Sequence, residues 1–176
     1  MIKTVEYVDD YVRMIDQTRL PLEKVFVDCK TIDDVANAIK TMVVRGAPAI
    51  GVSAAMGVSL GAEAIQAESF DAFYAELEEK CLALEKSRPT AINLAWGIER
   101  MKRVTRESKY LSIPKLKQRL KKEALDICEE DIAANKSMGN FGQTLIDDGN
   151  TVLTHCNAGA LATAGFGTAL GIIRAA

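Results

Sequence analysis

The chain has 176 residues, of which 48% are hydrophobic and 26% are charged, and its formal net charge is −2 at pH 7. This composition is typical of a globular protein with one or two small domains, and the near-neutral charge gives no electrostatic case for binding nucleic acid or a membrane surface. The sequence has no run of about eighteen uncharged apolar residues, and acidic residues stand where a signal peptide would be apolar. We therefore expect a cytoplasmic protein.

The cysteines of the chain are far apart in the sequence, and no two of them form a CxxC pair. This spacing predicts neither a structural zinc site nor a disulfide framework. No cluster of metal ligands is visible either, so we expect no metal and no cofactor. The four positions are Cys29, Cys81, Cys128 and Cys156.

Apolar and polar residues alternate near the amino terminus, as in "VEYVDDYVRMID". Period-two alternation is the spacing of β-strands that bury one face. Residues 4–29 therefore predict a small antiparallel sheet of two or three strands, with a turn at Asp9 and Asp10.

A helical bundle is predicted after the sheet. Apolar residues fall three or four apart from Thr31 to Val43, and this helix should end near Gly46. Pro48 is suited to begin a second helix, whose small residues indicate burial among other helices. Further helices are predicted at residues 70–86, at "SRPT" and beyond with Pro89 as the expected start, and after "SIPK" to about Met138. A basic run in the last helix is interpreted as a solvated face and not as a nucleic-acid patch; it comprises Lys115, Lys117, Arg119, Lys121 and Lys122.

The glycine-containing stretch "GNFGQTLIDDGN" breaks the helical pattern, and we place a domain boundary there. Residues 1–145 then form an N-terminal domain with a β-meander and helices. Residues 146–176 begin with "TVLTHC", which predicts a short buried strand, and continue into a helix of small residues. A strand that feeds a helix opens a Rossmann-like parallel α/β domain, whose other strands are missing from the sequence. The remainder of that domain is therefore expected to be absent from this chain.

The motif "RGAPAIG" places a permanent positive charge before a helix. Arg45 offers a fork of donors, and Gly46 and Ala47 supply backbone amides at the start of the helix that Pro48 begins. The helix dipole favours an anion at the same end, so a sugar phosphate or a carboxylate is one interpretation. The alternative is a tight turn between helices that carries a surface arginine.

A second arginine occurs in the same kind of setting in "SRPTAINLAW". Arg88 precedes Pro89, whose ring is expected to start a helix. Two such arginines in one small domain would hold a phosphate better than either alone. Asn93 and Trp96 are expected to be packing or hydrogen-bonding residues, not ligands.

Cys156 ends the predicted strand just before a helix. Ligands bind beyond the carboxyl ends of parallel strands, and a helix N-terminus favours the thiolate form of a nearby cysteine. The alternative is a buried structural cysteine. His155, the only histidine, should point to the opposite face of the strand and is interpreted as structural.

Taken in order, "RGAPAIG", "SRPTAINLAW" and "THCNAGALAT" followed by "GFGTALGII" resemble the methylthioribose-1-phosphate isomerase family over essentially the whole chain. The resemblance implies an α/β fold and an aldose–ketose isomerase that converts 5-methylthioribose 1-phosphate to 5-methylthioribulose 1-phosphate in methionine salvage. It also implies a homodimer without a cofactor. The fold is shared with regulatory subunits of the guanine-nucleotide exchange factor of translation initiation and with ribose-1,5-bisphosphate isomerases, so fold alone does not decide the function.

The same resemblance implies roles for individual residues. Arg45, Gly46, Ala47 and Arg88 would bind the substrate, and Cys156 would be the catalytic cysteine. The family's catalytic aspartate and its remaining ligands, a glutamine and an Asn-Lys pair, have no counterpart here, so the chain resembles an N-terminal half. Two alternatives stay open: a non-catalytic regulatory or ligand-sensing subunit, and a ribose-1,5-bisphosphate isomerase.

Overall fold

The computed structural model describes residues 3–176 of the chain. Within them, one three-stranded sheet is followed by six α-helices and two short 3-10 turns, Gln143–Leu145 and Ala160–Ala162. The strands are β1 (Val5–Val8), β2 (Tyr11–Ile15) and β3 (Phe26–Cys29). The helices are α1 (Ile32–Lys40), α2 (Ala47–Ala64), α3 (Phe70–Glu85), α4 (Ile92–Glu107), α5 (Ile113–Gly142) and α6 (Ala169–Ala175). The α/β class and the antiparallel sheet are confirmed.

The sheet has the order β1-β2-β3, and both pairs of neighbouring strands are antiparallel. The predicted turn between β1 and β2 lies at Asp9 and Asp10, with Asp9 in the left-handed region at φ 49°. Val12 and Met14 of β2 are fully buried on the face toward the helices. This alternation is the pattern from which the sheet was predicted.

Helix α1 begins with a capping box. The Thr31 hydroxyl accepts a hydrogen bond from the Asp34 amide at 3.1 Å, and the Asp34 carboxylate accepts one from the Thr31 amide at 2.9 Å. The helix ends at Lys40, earlier than the apolar spacing predicted. The reason is that Met42 adopts a left-handed φ of 64°, which turns the chain before Val43.

Helix α2 is the central element of the bundle, and nearly every residue from Ala49 to Ala62 is buried. The predicted role of its small residues is confirmed at the crossing with α4. A Cβ atom placed on Gly97 would lie 2.5 Å from the carbonyl oxygen of Gly51. The two helix backbones are therefore in direct contact there, which requires glycine. Among residues 3–176, no helix is both long enough and apolar enough to cross a lipid bilayer.

Two further predicted helix bounds are wrong. Helix α4 begins at Ile92 and not at Pro89, because the chain first makes a turn in which the Ala91 amide donates to the Arg88 carbonyl at 3.0 Å. Helix α5 runs beyond Met138 to Gly142. Its last glycines stay helical because α6 lies against that part of α5: a Cβ atom on Gly142 would lie 2.7 Å from the Ile172 side chain.

The basic run on α5 is not one solvated face. Lys117 donates to the carbonyls of Glu63 and Ile65 at the end of α2, at 2.9 and 2.7 Å. Arg119 pairs with the buried Glu123 at 2.7 Å. Lys121 donates to the Asp9 carbonyl. These contacts hold α5 against the rest of the domain and account for side chains that the sequence assigned to solvent.

Residues 151–156 do not form the predicted buried strand. Leu153 is 95% exposed and Val152 is 45% exposed, and no strand among residues 3–176 pairs with this segment. A parallel strand requires a neighbour to take up its hydrogen bonds, and the sheet of the described residues is built only from residues 5–29. The helix predicted to follow at once is also wrong, since residues 157–168 fold as compact turns before α6 begins at Ala169.

Candidate functional site

The crossing of α2 and α4 brings the two arginine-bearing turns to the same end of the domain. A Cβ atom on Gly51 would lie 3.0 Å from the carbonyl oxygen of Asn93, so the contact falls within the first two turns of each helix. A helix rises about 1.5 Å per residue, which puts both helix starts within roughly 10 Å of the contact along their axes. Arg45 and Arg88 therefore precede neighbouring helix ends.

Gly46 connects this end of the domain to the segment that carries Cys156. Its φ of 101° lies in a region that favours glycine, and a Cβ atom there would lie 2.4 Å from the Cα of Ala162. Both the backbone angle and the close approach exclude a side chain. The three sequence motifs, separated along the chain, thus meet around the start of α2.

The start of α2 has the features that an anion requires. Arg45 and Ala47 are exposed and Gly46 is half-buried. The first hydrogen bond of the helix runs from the Ile50 amide to the Gly46 carbonyl at 3.0 Å, so the amides of Ala47 and Ala49 have no partner within the helix. The Arg45 guanidinium forms no salt bridge within residues 3–176.

Arg88 lies in the turn before α4 and is half-buried. It also forms no salt bridge within the described part of the chain. The expectation that Pro89 starts the helix is wrong, so the guanidinium belongs to a turn and not to the helix end itself. The residue at the N-cap of α4, Ala91, offers no side-chain cap, which leaves the first amides of α4 unpartnered by side chains.

Cys156 is exposed and adopts a left-handed φ of 71°, which is uncommon for a residue other than glycine. Its predicted place at the end of a buried strand is wrong, and a short 3-10 turn follows it in place of an α-helix. The helix-dipole argument for the thiol therefore has no geometric support. The side chain instead lines a cavity of about 700 Å³ whose wall includes Asn157, Leu170 and Arg174. His155 is exposed. Within residues 3–176 its side chain forms no hydrogen bond that would support the predicted structural role.

The other cysteines differ from Cys156 in burial. All four are free. Burial raises the pKa of the Cys29 thiol to about 11, that of Cys81 to about 12 and that of Cys128 to about 11. These three thiols stay protonated near neutral pH. Cys156 is the cysteine of the described chain whose side chain is exposed to solvent.

The segment that follows Cys156 is fastened to the amino-terminal sheet. The Thr4 hydroxyl donates to the Ala160 carbonyl at 2.8 Å, and the Gln17 side-chain amide donates to the Leu161 carbonyl at 2.8 Å. Thr4 is fully buried and Gln17 is 7% exposed. Sequence reasoning missed both residues, because nothing in their local pattern indicates a partner more than 140 residues away.

Helix α5 provides a third attachment for the same segment. A carboxylate oxygen of Asp131 accepts a hydrogen bond from the Ala164 amide at 2.7 Å, and its other oxygen accepts one from Asn135 at 3.1 Å. Burial raises the pKa of the Asp131 carboxyl, against the effect of these two donors. The spacing of Asp131 and Asn135, four residues apart on a helix, was the available signal.

A second cavity, of about 420 Å³, lies between α2, α4 and α5, at the end where α2 and α4 begin. Its apolar wall consists of Pro48, Val52, Ile92, Trp96, Ile127 and Ala134. Trp96 is 48% exposed, so only part of its indole packs against the protein, and the expectation that it is not a ligand stays a prediction. Glu130 and Asp131 supply the charged part of the wall. Residues 3–176 contain no group of three or more His, Cys, Asp or Glu side chains arranged to hold a metal ion.

These observations define the class first: an α/β protein with a three-stranded antiparallel sheet and a helical bundle, in which Gly46, next to Arg45, contacts the segment that carries Cys156. A sequence profile described as the Initiation factor 2 subunit family matches residues 43–176, and the chain belongs to this family.

The curated relatives of the chain include enzymes named methylthioribose-1-phosphate isomerase. The chain is 55% identical over 174 residues to the methylthioribose-1-phosphate isomerase of Citrifermentans bemidjiense and 54% identical to that of Geobacter sulfurreducens. Each match covers 99% of this chain and 50% of the relative. The chain therefore spans about half the length of the curated relatives it matches. The resemblance drawn from the three motifs is confirmed.

Solved structures share the fold. The 5-methylthioribose 1-phosphate isomerase of Pyrococcus horikoshii matches with a TM-score of 0.92 and 40% identity, over 99% of this chain and 49% of that one. The translation initiation factor eIF-2B subunit delta from A. fulgidus matches with a TM-score of 0.89 and 37% identity, over 99% of this chain and 51% of that one. Two proteins with different names thus share one fold, and the fold alone does not separate their functions.

Proposed function

We propose that this chain is the substrate-binding portion of an isomerase that converts 5-methylthioribose 1-phosphate to 5-methylthioribulose 1-phosphate. The observation that carries the proposal is the identity of 51 to 55% to relatives of that name across 99% of the chain. The meeting of three motifs around the start of α2 supports it from the structure.

Arg45, Gly46, Ala47 and Arg88 hold the substrate phosphate in this proposal. Two guanidinium groups without carboxylate partners, next to unpartnered helix amides, supply both the charge and the donors that a phosphate requires. Holding the phosphate fixes the sugar carbons relative to Cys156, and this positioning itself lowers the barrier to reaction.

The first step of the proposed reaction, the opening of the sugar ring, is difficult for this substrate. The phosphate is attached to the anomeric carbon, so the ring does not open as it does in a free sugar, and an acid must protonate the ring oxygen. Hydrogen then moves from C2 to C1, which oxidises C2 to a ketone and reduces C1 by the same amount. The reaction is redox-balanced within the substrate and needs no external oxidant or cofactor.

In these reaction steps, Cys156 provides a thiol beside C1 and C2 of the substrate. Proton transfer through an enediol and a hydride shift are both compatible with a thiol at this place, and an apolar surrounding would favour the second by excluding water. A further acid–base group, the family's aspartate, comes from a part of the protein beyond the described residues.

The proposal extends to organisation and context. Residues 1–145 form the helical domain, and residues 146–176 open a Rossmann-like domain that is completed by a second half of the kind the relatives possess. The protein acts in the cytoplasm, in methionine salvage and hence methionine biosynthesis, as a homodimer that binds neither nucleic acid nor membranes.

A second candidate is a non-catalytic regulatory subunit, which the likeness to eIF-2B subunit delta favours. A third is a ribose-1,5-bisphosphate isomerase. The three candidates separate in one assay with purified protein extended by a second half: the first turns over 5-methylthioribose 1-phosphate, the third prefers the bisphosphate, and the regulatory subunit turns over neither.

Cys156→Ser tests the catalytic assignment in that extended protein. We expect turnover to fall by at least about a hundredfold, because the thiol is lost while an exposed side chain contributes little to stability. Cys128→Ala, at a half-buried cysteine away from the cavity, is the matched control and should keep its activity. Full activity of Cys156→Ser would contradict the assigned role.

A further inference from the structure

We infer that the cavity between α2, α4 and α5 receives the 5-methylthio end of the substrate and disfavours sugars with a phosphate at C5. The inference rests on the proposed function and assigns the part of the site that distinguishes this substrate from a bisphosphate.

The position of the cavity supports this assignment. Pro48 lies in the first turn of α2, three residues after Arg45, and Ile92 begins α4, four residues after Arg88. The cavity therefore opens beside both turns proposed to hold the phosphate. A five-carbon sugar fixed by its phosphate at C1 has its C5 end a few bond lengths away, within reach of such a neighbouring cavity.

The wall of the cavity suits a thioether. Ile92 is 83% exposed and Trp96 is 48% exposed, although both are large and apolar. Exposed apolar side chains gathered around a concave site indicate a ligand with apolar surface. Sulfur makes favourable contacts with aromatic rings, and the Trp96 indole is the aromatic group in this wall.

Trp96 is held in position by a partly buried ion-pair network. The Arg100 guanidinium carbon lies 5.7 Å from the centre of the indole ring. Arg100 itself pairs with Glu123 at 2.6 Å and with Glu130 at 2.5 Å, and both contacts restrict its movement. A fixed indole loses little conformational freedom when a ligand binds, which favours affinity.

The charges of the cavity oppose a second phosphate. Glu130 and Asp131 line it, whereas its lining residues include no lysine or arginine. The hydrogen bonds from Arg100 hold the pKa of Glu130 below its ordinary value, so this carboxyl stays ionised at neutral pH. Arg100 is already engaged with two carboxylates and is not free to neutralise a phosphate. Like charge in a concave site is an effective way to reject the wrong ligand.

Kinetic variants of the extended protein test the inference. The KM for 5-methylthioribose 1-phosphate is compared with the inhibition constant of ribose 1-phosphate, which has the same phosphate end and a hydroxyl at C5. We expect Trp96→Ala and Ile92→Ala to raise the KM about tenfold, the usual effect of lost apolar contact in a pocket, and to leave the inhibition constant unchanged. Tyr110→Ala removes an aromatic side chain that is 81% exposed beyond the opposite end of α4 and is the matched control.

Fluorescence gives a readout that is independent of turnover. Trp96 is the only tryptophan in the sequence. At saturating ligand, 5-methylthioribose 1-phosphate should change its emission more than ribose 1-phosphate does, because only the first places an apolar group against the indole. Equal changes would overturn the inference.

The addition of a positive charge provides a gain-of-function test. Ile92→Lys adds a cation at an exposed position where it cannot disturb the core, and it should tighten inhibition by ribose 1,5-bisphosphate about tenfold while weakening the methylthio substrate. Variants that weaken both 1-phosphates equally, or neither, would overturn the inference although the isomerase proposal stands. Failure of the unsubstituted protein to turn over 5-methylthioribose 1-phosphate would instead contradict the proposed function and remove the basis of this inference with it.

Discussion

The bundle of residues 31–142 and the segment of residues 146–156 respond differently to similar sequence patterns. In the bundle, an apolar stripe predicts a buried stripe, as for Phe73 and Leu77 on α3. In the segment, the equally apolar "TVL" is exposed and unpaired. This difference shows that an apolar sequence pattern forms the predicted helix or strand only where another surface is present to bury its apolar side chains.

The same comparison applies to the site. The two arginine-bearing turns are positioned by α2 and α4, whose backbones are in direct contact within the bundle. Cys156 lies in the exposed segment, yet the residues that follow it are fastened by Thr4, Gln17 and Asp131. The candidate site thus joins two turns that a helix crossing positions to a segment that hydrogen bonds from Thr4, Gln17 and Asp131 hold in place.

The largest expected effect is on stability. Phe73 is fully buried, and Phe73→Ala should lower the free energy of unfolding by about 3–5 kcal/mol through lost burial and the cavity left behind. Leu153→Ala removes a side chain that is 95% exposed and should change it by less than about 0.5 kcal/mol. Urea denaturation of this chain followed by circular dichroism measures both. A similar cost for the two variants would contradict the contrast between the bundle and the segment.

A smaller effect is expected where the two regions are joined. Gln17→Ala removes the hydrogen bond to the Leu161 carbonyl and should cost about 1 kcal/mol. The loss should be local: the Cys156 thiol becomes faster to label with a disulfide reagent, while the buried thiols of Cys29 and Cys81 stay unreactive.

Gln118→Ala, at an exposed position of α5, is the matched control for that measurement. Unchanged labelling of Cys156 in Gln17→Ala would mean that the hydrogen bond does not restrain the segment.

The smallest effect is a pH dependence. Burial raises the pKa of Asp131 in the folded protein, so the folded state binds this proton more tightly than the unfolded state does. Its contribution to stability is therefore complete below the unfolded value of about 3.9 and is lost as pH rises through the folded pKa. The unfolding free energy of the unsubstituted chain relative to Asp131→Asn should decrease from acidic to neutral pH, measured by urea denaturation with exposed Asp148→Asn as control. The opposite trend would contradict the assigned burial.

Local sequence predicted much of the fold because its determinants are local. The alternation of Val12 and Met14 and the apolar spacing of α1 each involve residues only a few positions apart. The predicted end of α5 failed because it depends on contacts beyond the local window. Gly139 and Gly142 resemble a helix end, yet they stay helical because α6 packs on them.

For the site, the motifs indicated which residues to examine but not how they meet. The approach of Gly46 to Ala162 and the attachments from Thr4, Gln17 and Asp131 join positions far apart in the sequence, and no periodicity predicts them. The sequence predicted a packing or hydrogen-bonding role for Trp96, and it could not indicate that the helix face of this residue borders a cavity. The roles proposed for Arg45, Gly46, Ala47, Arg88 and Cys156 stay predictions.

The hydrogen bond from Thr4 to Ala160 spans 156 positions of the sequence. On the ribosome, strands and helices can form as they emerge, since domains begin to fold during synthesis. The start of β1, however, acquires this partner only after residue 160 has left the exit tunnel. The segment that carries Cys156 is consequently fastened later than the bundle, and a nascent chain would hold its bundle before it could hold a ligand.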